Sequence, residues 1–580
     1  MNITDIHSPA DIKGKSLAEL QQICAELRKV LIKKLAAHGG HVGPNLGFLE
    51  PTVALHYVFD APKDKIVFDV SHQTYVHKML TGRIEAFVDP AKYDDVTGYT
   101  NPAESEYDLF SIGHTSTSIS LASGLARARD LSGEKYNVVA VIGDGSLSGG
   151  QAFEGLDMAS TEGTNFIVVV NDNQMSIAPN HGALYENLAL LRETEGKAEN
   201  NFFKSLGYDY IYVGQGNSLE ALIAAFSKVK DSERPVVVHL NTVKGLGLPV
   251  AEEHKESFHF HGPFNPESGE STVADSEPDY IDIFANYMLD RMQRDPKTVL
   301  LTAGVPGAIG FGPSQREQAG RQFIDVGIAE EQAVAMASGL AKCGFNAVVG
   351  EPATFIQRAY DQLEQDVCIN GMPVAFVDFY GGVWGMNDET HLGFLDIAMF
   401  SNIPTFLTLC PTCAEEYVAM LEYAISQKSQ PVLVRTPGGR LVHRDGDFDL
   451  DYSKCSYETV REGAEVAIIG VGDFLPMALE AADIAAKKGL AVKVINPRNV
   501  SNLDENSLNE LKSFRLVITL EDNQVDGGYG QKVAAYLAQF GVKVNVLGLP
   551  KALPDRYKAK ELLEQHGLTP ENIADIAVNC

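Results

Sequence analysis

Residues 136–173 read YNVVAVIGDGSLSGGQAFEGLDMASTEGTNFIVVVNDN: two apolar, β-branched runs on either side of a helix-like pattern. Each run has the composition of a strand buried on both faces, and a unit of this kind returns its second strand parallel to the first. The first run breaks into the turn Gly143-Asp144-Gly145, and the second ends in Asn171-Asp172-Asn173. A right-handed crossover brings both carboxyl ends to one edge, so the Asp144 carboxylate and the Asn173 amide oxygen are expected to converge. Hard oxygen donors suit Mg²⁺, which takes one or two protein groups and fills its shell with phosphate oxygens. That accounts for an acid where a glycine turn would otherwise cradle a phosphate: the acid holds a metal, and the metal holds a diphosphate.

The same alternation recurs outward from this unit. KIVFDV, NFIVVVND and PVVVHLNTVKG form one group of strand-like runs; NAVVGEP, MPVAFVDF and PVLVRTP a second; AEVAIIGVG, AVKVINPR, RLVITLED and VKVNVLGLP a third. Continuous apolar strands separated by helical patterns predict α/β architecture with mainly parallel, doubly wound sheets. Polar breaks rich in Pro, Gly and Ser near 255–285, and a second break near 438–458, predict three domains at 1–265, 280–440 and 455–580.

Composition excludes several classes. The 77 acids against 47 bases give a net charge of −30, which repels nucleic acid and anionic membranes, so neither is an expected partner. No run approaches the ~18–20 apolar residues of a membrane span, and MNITDIHSPADIKGKSLAEL has no apolar core of a leader, which predicts a cytoplasmic protein. Seven cysteines fit a reducing compartment. Cys410-Pro411-Thr412-Cys413 has no second pair or histidines to complete a zinc site, and reads as a loop.

Gly-Asp-Gly followed one strand–helix–strand unit later by a strand-terminal Asn resembles the thiamine diphosphate signature of the transketolase superfamily. Further blocks narrow the resemblance: GGHVGPNLG (39–47), FDVSHQTYVHKMLTGR (68–83), ESEYDLFSIGHTSTSIS (104–120), FIDVGIAEEQAV (323–334) and TFIQRAYDQ (354–362) are similar to the 1-deoxy-D-xylulose-5-phosphate synthase family. The similarity spans nearly the whole chain.

That resemblance implies thiamine diphosphate and Mg²⁺ as cofactors, and small-molecule substrates: a 2-keto acid donor and an aldehyde acceptor. Asp144, Asn173 and the Met175 carbonyl would hold the metal. Gly113, His114 and Thr115 would meet the diphosphate at a helix start, where free N–H groups favour anions; Gly145 and Ser146 continue the metal turn, and Lys244 is a phosphate counter-ion. Glu330 would contact the pyrimidine N1′, favouring the tautomer that deprotonates the thiazolium, with Phe355 stacked on the ring and Arg358 beside it. His41, His72, His259 and His391 would move protons in the substrate cavity, His72 also contacting the cofactor, with His261 competing for the role of His259. The third domain supports a homodimer.

The chain also departs from the pattern. Aligned on Thr390-His391, Tyr380 stands where the family carries an arginine that grips the acceptor phosphate, and Asn387 where it carries an aspartate. In VRTPGG, Arg435 survives but Gly438 replaces a second phosphate arginine, and Pro352, preceded by Glu351, replaces a tyrosine. Leu248 replaces another tyrosine, and the segment after NDNQMSIAPNHGAL is shortened. Charge-assisted hydrogen bonds to phosphate contribute about 1.5–3 kcal/mol each, so their loss weakens a phosphorylated acceptor unless Arg358, Arg435 or Arg440 substitutes. Three further readings accompany carboligation onto glyceraldehyde 3-phosphate, the acceptor the resemblance implies: the same carboligation with a non-phosphorylated or different aldehyde, ketol transfer of the transketolase type, and a non-enzymatic binding paralogue, which the retained Asp144, Asn173 and Glu330 disfavour.

Overall fold

The computed structural model describes residues 3–274, 277–448 and 450–580. The chain forms two compact units, one of Met1–Asp275 with Gly327–Ala329, the other of Ser276–Val326 with Glu330–Cys580.

Unit 1 is built on five strands, β1 (Lys65–Phe68), β2 (Val138–Gly143), β3 (Phe166–Asp172), β4 (Asp209–Val213) and β5 (Pro235–Asn241), in the order β1-β2-β3-β5-β4, all parallel. Alternate residues go to opposite faces, as strand geometry requires. Val139, Val141, Ile167 and Val169 join one buried cluster, while Val138, Ala140, Val168 and Val170 join another. Both faces are therefore covered, and apolar residues, mostly β-branched, run continuously along β2 and β3 rather than at every second position. The helix Gly150–Ala159 crosses from β2 to β3, whose ends lie side by side with Gly143 paired to Asn171.

Unit 2 carries two sheets. The first has β6 (Thr298–Thr302), β7 (Phe323–Asp325), β8 (Asn346–Pro352), β9 (Ala375–Phe379), β10 (Leu407–Leu409) and β11 (Val432–Arg435), in the order β10-β11-β9-β8-β6-β7, again all parallel. The second has β12 (Glu458–Arg461), β13 (Val466–Gly470), β14 (Val492–Asn496), β15 (Leu516–Gln524) and β16 (Val544–Leu549), in the order β12-β14-β13-β15-β16, with only β12 antiparallel. The α/β, mainly parallel class expected from the apolar runs is the architecture found. Five strands were not read in the sequence, four of them with local causes: β4 is a partly exposed edge strand rich in tyrosine, β7 and β10 have three residues each, and β12 is a polar edge; the fifth, β6, is a short buried run.

No helix among the described residues is long and apolar enough to cross a membrane. Cys410 and Cys413 are buried free thiols, and burial holds both up in their protonated form.

Candidate active site

In unit 1 the turn after β2 is locked to the end of β3: Asp144 donates its N–H to the Asn171 carbonyl at 3.0 Å. The Asp144 side chain is buried, and one oxygen accepts from Asn180 Nδ2 at 2.8 Å. Burial, and then the negative charge of Asp172, push this carboxyl well up from its ordinary value. Asp172 is itself neutralised by His239 Nε2 at 2.8 Å and Arg192 Nη1 at 2.5 Å. The charge left without a full partner is thus that of Asp144. Asn173 is also buried, its amide oxygen turned back to accept from Met175 N at 3.2 Å. The segment after Met175 packs on the turn so closely that a Cβ on Gly145 would come within 2.8 Å of Ser176 Cβ. A buried acid, an amide oxygen and nearby backbone carbonyls fit a hard divalent cation. Among the described residues no three His, Cys, Asp or Glu side chains gather as a metal-binding group.

The loop Gly113–Thr117, ahead of the helix Ser118–Ser132, is drawn to the same edge. Ser116 Oγ donates to the Ser146 carbonyl at 2.8 Å, and Asp69 accepts from the N–H groups of Ser116 and Ser118 at 2.8 and 2.9 Å. Asp69 therefore fixes the loop that carries His114 and Thr115 beside Gly145 and Ser146. Lys244 is buried, donates to the Ser176 carbonyl at 2.6 Å, and is pushed down to about 7 by burial. A lysine in that state gains most by meeting an anion.

Three of the expected histidines cluster. His41 lies edge-on to His72 and His259, with ring centroids 5.0 and 5.9 Å away, and His72 stacks on His259 at 5.2 Å. Lys244 Nζ is 3.1 Å from His259 Nδ1, and burial followed by the Lys244 charge holds His259 far below its ordinary value, hence neutral. His261 stands apart, packed between Phe258 and Phe264. His77 belongs to a buried chain in which it meets His56 at 2.9 Å and Asp108 at 2.8 Å.

In unit 2, Glu330 opens the helix Glu330–Lys342 and is buried, with Arg358 Nη1 at 3.2 and 3.1 Å from its two oxygens. Burial outweighs the guanidinium and raises its pKa, so the proton is held more tightly than by a free glutamate. Phe355 lies edge-on to His391 at 5.6 Å, and His391 Nδ1 is 2.8 Å from Thr390 Oγ1. Asp388 bonds the same hydroxyl at 2.6 Å and lies 3.9 Å from the ring, so the acid next to Asn387 is the one that orients His391.

The altered positions group at the carboxyl ends of β8, β9 and β11. Glu351 is buried, accepts from Thr302 Oγ1 at 2.9 Å and from the Ala303 N–H, and is pushed far up by burial and then by Glu330. Tyr380 sits at φ +59°, its hydroxyl donating to the Ala308 carbonyl at 3.2 Å. Arg435 is buried, its guanidinium bonded to Asp396 and, at 2.6 Å, to Asp522. A Cβ at Gly438 would lie 2.9 Å from Trp384 Cβ. Sequence reading gave no role to Asp69, Asn180, Trp384 or Asp473. Each acts through a contact distant in sequence, and no local pattern marks them.

Three family models match the chain: 1-deoxy-D-xylulose-5-phosphate synthase over residues 3–200, the transketolase pyrimidine-binding domain over 276–442, and the transketolase C-terminal domain over 456–573. The last two, on parallel α/β sheets, define the class: a transketolase-type enzyme. Similar curated proteins include the 1-deoxy-D-xylulose-5-phosphate synthases of Symbiobacterium thermophilum, 38% identical over 100% of this chain and 94% of the relative, and of Desulforudis audaxviator, 38% identical over 98% and 95%. A solved transketolase variant from Pichia stipitis is 17% identical, covers 97% of both chains and has a TM-score of 0.46. The chain belongs to the 1-deoxy-D-xylulose-5-phosphate synthase family, transferases of the transketolase superfamily that act with thiamine diphosphate.

Proposed function

We propose that the chain decarboxylates pyruvate and joins the remaining two-carbon unit to an aldehyde, with Mg²⁺ anchoring thiamine diphosphate. The buried Asp144 carboxylate is the observation that most supports this reading. It is costly to keep charged without a cation, and an Asn side chain and carbonyls, rather than further acids, complete its surroundings. Asp144, Asn173 and the Met175 carbonyl would hold the ion. Gly113, His114, Thr115, Gly145, Ser146 and Lys244 would hold the diphosphate; Glu330, Phe355 and Arg358 would hold the pyrimidine.

When bound, thiamine diphosphate supplies a nucleophilic carbon and a sink for the electrons released with carbon dioxide. The residues do the rest. Burial raises the Glu330 carboxyl from its ordinary value, so it holds a proton more readily than a solvated glutamate does. Neutral His259, with its neighbours His41 and His72, offers ring nitrogens that can exchange a proton with substrate, becoming positively charged on accepting one. His391, oriented through Thr390 and Asp388, can do the same. In this reading residues 1–265 bind the diphosphate, 280–440 the pyrimidine, and 455–580 support a homodimer in the cytoplasm.

The test is calorimetric titration of thiamine diphosphate with and without Mg²⁺, followed by carbon dioxide release from labelled pyruvate in the presence of aldehydes. Binding that needs Mg²⁺, with aldehyde-dependent release, bears the reading out. Binding without release from pyruvate, together with turnover of a ketose donor, replaces it by ketol transfer.

A further inference from the structure

We propose that the aldehyde acceptor of this enzyme is uncharged and unphosphorylated, and that the carboxyl edge of the β6–β11 sheet rejects a phosphorylated one. The inference rests on the carboligase reading and names the substrate class of that same site.

Ligands of parallel α/β sheets bind outside the carboxyl ends of the strands. At this edge the cations are already used. Arg358 is bonded to Glu330 through both carboxylate oxygens. Arg435 is buried between Asp396 and Asp522, which together outnumber its single charge. The backbone is used as well: the successive N–H groups of Gly438 and Gly439, a natural seat for an anion, both donate to Asp473 Oδ2, at 2.8 and 3.2 Å. An internal carboxylate occupies the place a phosphate would need.

Further acids lie along the same edge. Glu351 and Asp378 are the penultimate residues of β8 and β9; both are buried, and among the described residues one oxygen of Glu351 and both oxygens of Asp378 have no hydrogen-bond partner. A phosphate brought here would lie against buried acid groups rather than free cations, and the loss of two charge-assisted hydrogen bonds at about 1.5–3 kcal/mol each lowers affinity by about two or more orders of magnitude.

What the edge offers instead is aromatic surface and neutral donors. Tyr380 fills the start of the segment after β9, with its hydroxyl turned to Ala308. Trp384, the single tryptophan of the chain, lies against Gly438 and Gly439, and its buried indole N–H has no hydrogen-bond partner. Such a donor suits a hydroxyl or carbonyl oxygen. Trp384 and Gly438 are closely packed: a Cβ at 438 would lie 2.9 Å from Trp384 Cβ, so a side chain there, arginine included, requires one of the two segments to shift. Arg440, two residues on, is exposed.

The experiment measures carbon dioxide release from labelled pyruvate by the enzyme loaded with thiamine diphosphate and Mg²⁺, with D-glyceraldehyde or D-glyceraldehyde 3-phosphate as acceptor. Wild type, Arg440→Ala and the double variant Trp384→Gly/Gly438→Arg are compared. The expected result is a kcat/KM for glyceraldehyde about tenfold or more above that for its phosphate, unchanged in Arg440→Ala. In the double variant, which clears the collision and supplies a cation, the ratio should move toward the phosphate by about tenfold. Equal use of both acceptors, or preference for the phosphate, overturns the proposal. Loss of that preference in Arg440→Ala would then identify the cation responsible. Absence of release with either aldehyde overturns the carboligase reading itself, a result distinct from release ranked in the wrong order.

Discussion

Arg435 Nη1 donates to Asp522 Oδ1 at 2.6 Å, tying the end of β11 to the end of β15, while its Nε is bonded to Asp396. One guanidinium thereby joins the two sheets of unit 2, and neither carboxylate has another cation. Replacing it with methionine leaves two buried acids uncompensated, and breaking a buried pair in this way costs about 3–5 kcal/mol. Urea unfolding of Arg435→Met should show that loss. Lysine should recover only part of it, because an ammonium lacks the two-sided fork. A loss below about 1 kcal/mol would mean that the pair is solvated in practice.

Asp144→Asn should act in opposite directions on the empty and the loaded protein. Burial and Asp172 make the charged form of Asp144 unfavourable, so the amide should leave the metal-free protein as stable as wild type or more so. The same variant should lose the stabilisation given by thiamine diphosphate with Mg²⁺, about 2.7 kcal/mol at a hundredfold excess over Kd. Thermal unfolding with and without the two ligands reads both effects. A destabilised metal-free variant would contradict the assignment of Asp144 as an acid awaiting a cation.

Glu330→Gln keeps the shape of the side chain and the reach to Arg358 but cannot exchange a proton. Carbon dioxide release from pyruvate should fall by about 10²–10⁴, the usual contribution of a positioned acid–base group. Calorimetry should still detect thiamine diphosphate. If turnover persists within tenfold of wild type, Glu330 is not the proton-handling group.

Glu351→Gln isolates a pH-dependent term. Burial, and then Glu330, raise the Glu351 carboxyl far above its ordinary value of 4.5. For an acid whose folded value is raised, stability is fully present below the unfolded value and is lost as pH climbs toward the folded one. The amide should therefore gain on wild type by about 1.4 kcal/mol per pH unit above about pH 4.5, until the folded carboxyl ionises. Urea midpoints of both proteins at about pH 5, 6 and 7 give the comparison. A constant difference across that range would show Glu351 already ionised in the folded chain.

The strands and their parallel order were legible because they are local. A β-branched run between helical patterns can satisfy its backbone and bury both faces only in a doubly wound sheet. The parallel crossover was legible as well: Gly143 and Asn171 lie opposite each other, at the strand ends that carry Asp144 and Asn173. Sequence also marked the residues that change at the acceptor end. It did not reveal whether the remaining arginines were free to compensate. Arg435 is neutralised by residues 39 and 87 positions away, and Asp69 fixes a loop 47 positions on. Charge neutralisation and exclusion of a side chain depend on which groups folding brings within a few ångströms, and that distance is set by packing between elements rather than by spacing along the chain. The sequence by itself determined the architecture and marked the residues proposed to meet metal and diphosphate; the tertiary structure decided that Trp384 packs on Gly438 and that Arg358 and Arg435, among the described residues, are already bonded to carboxylates.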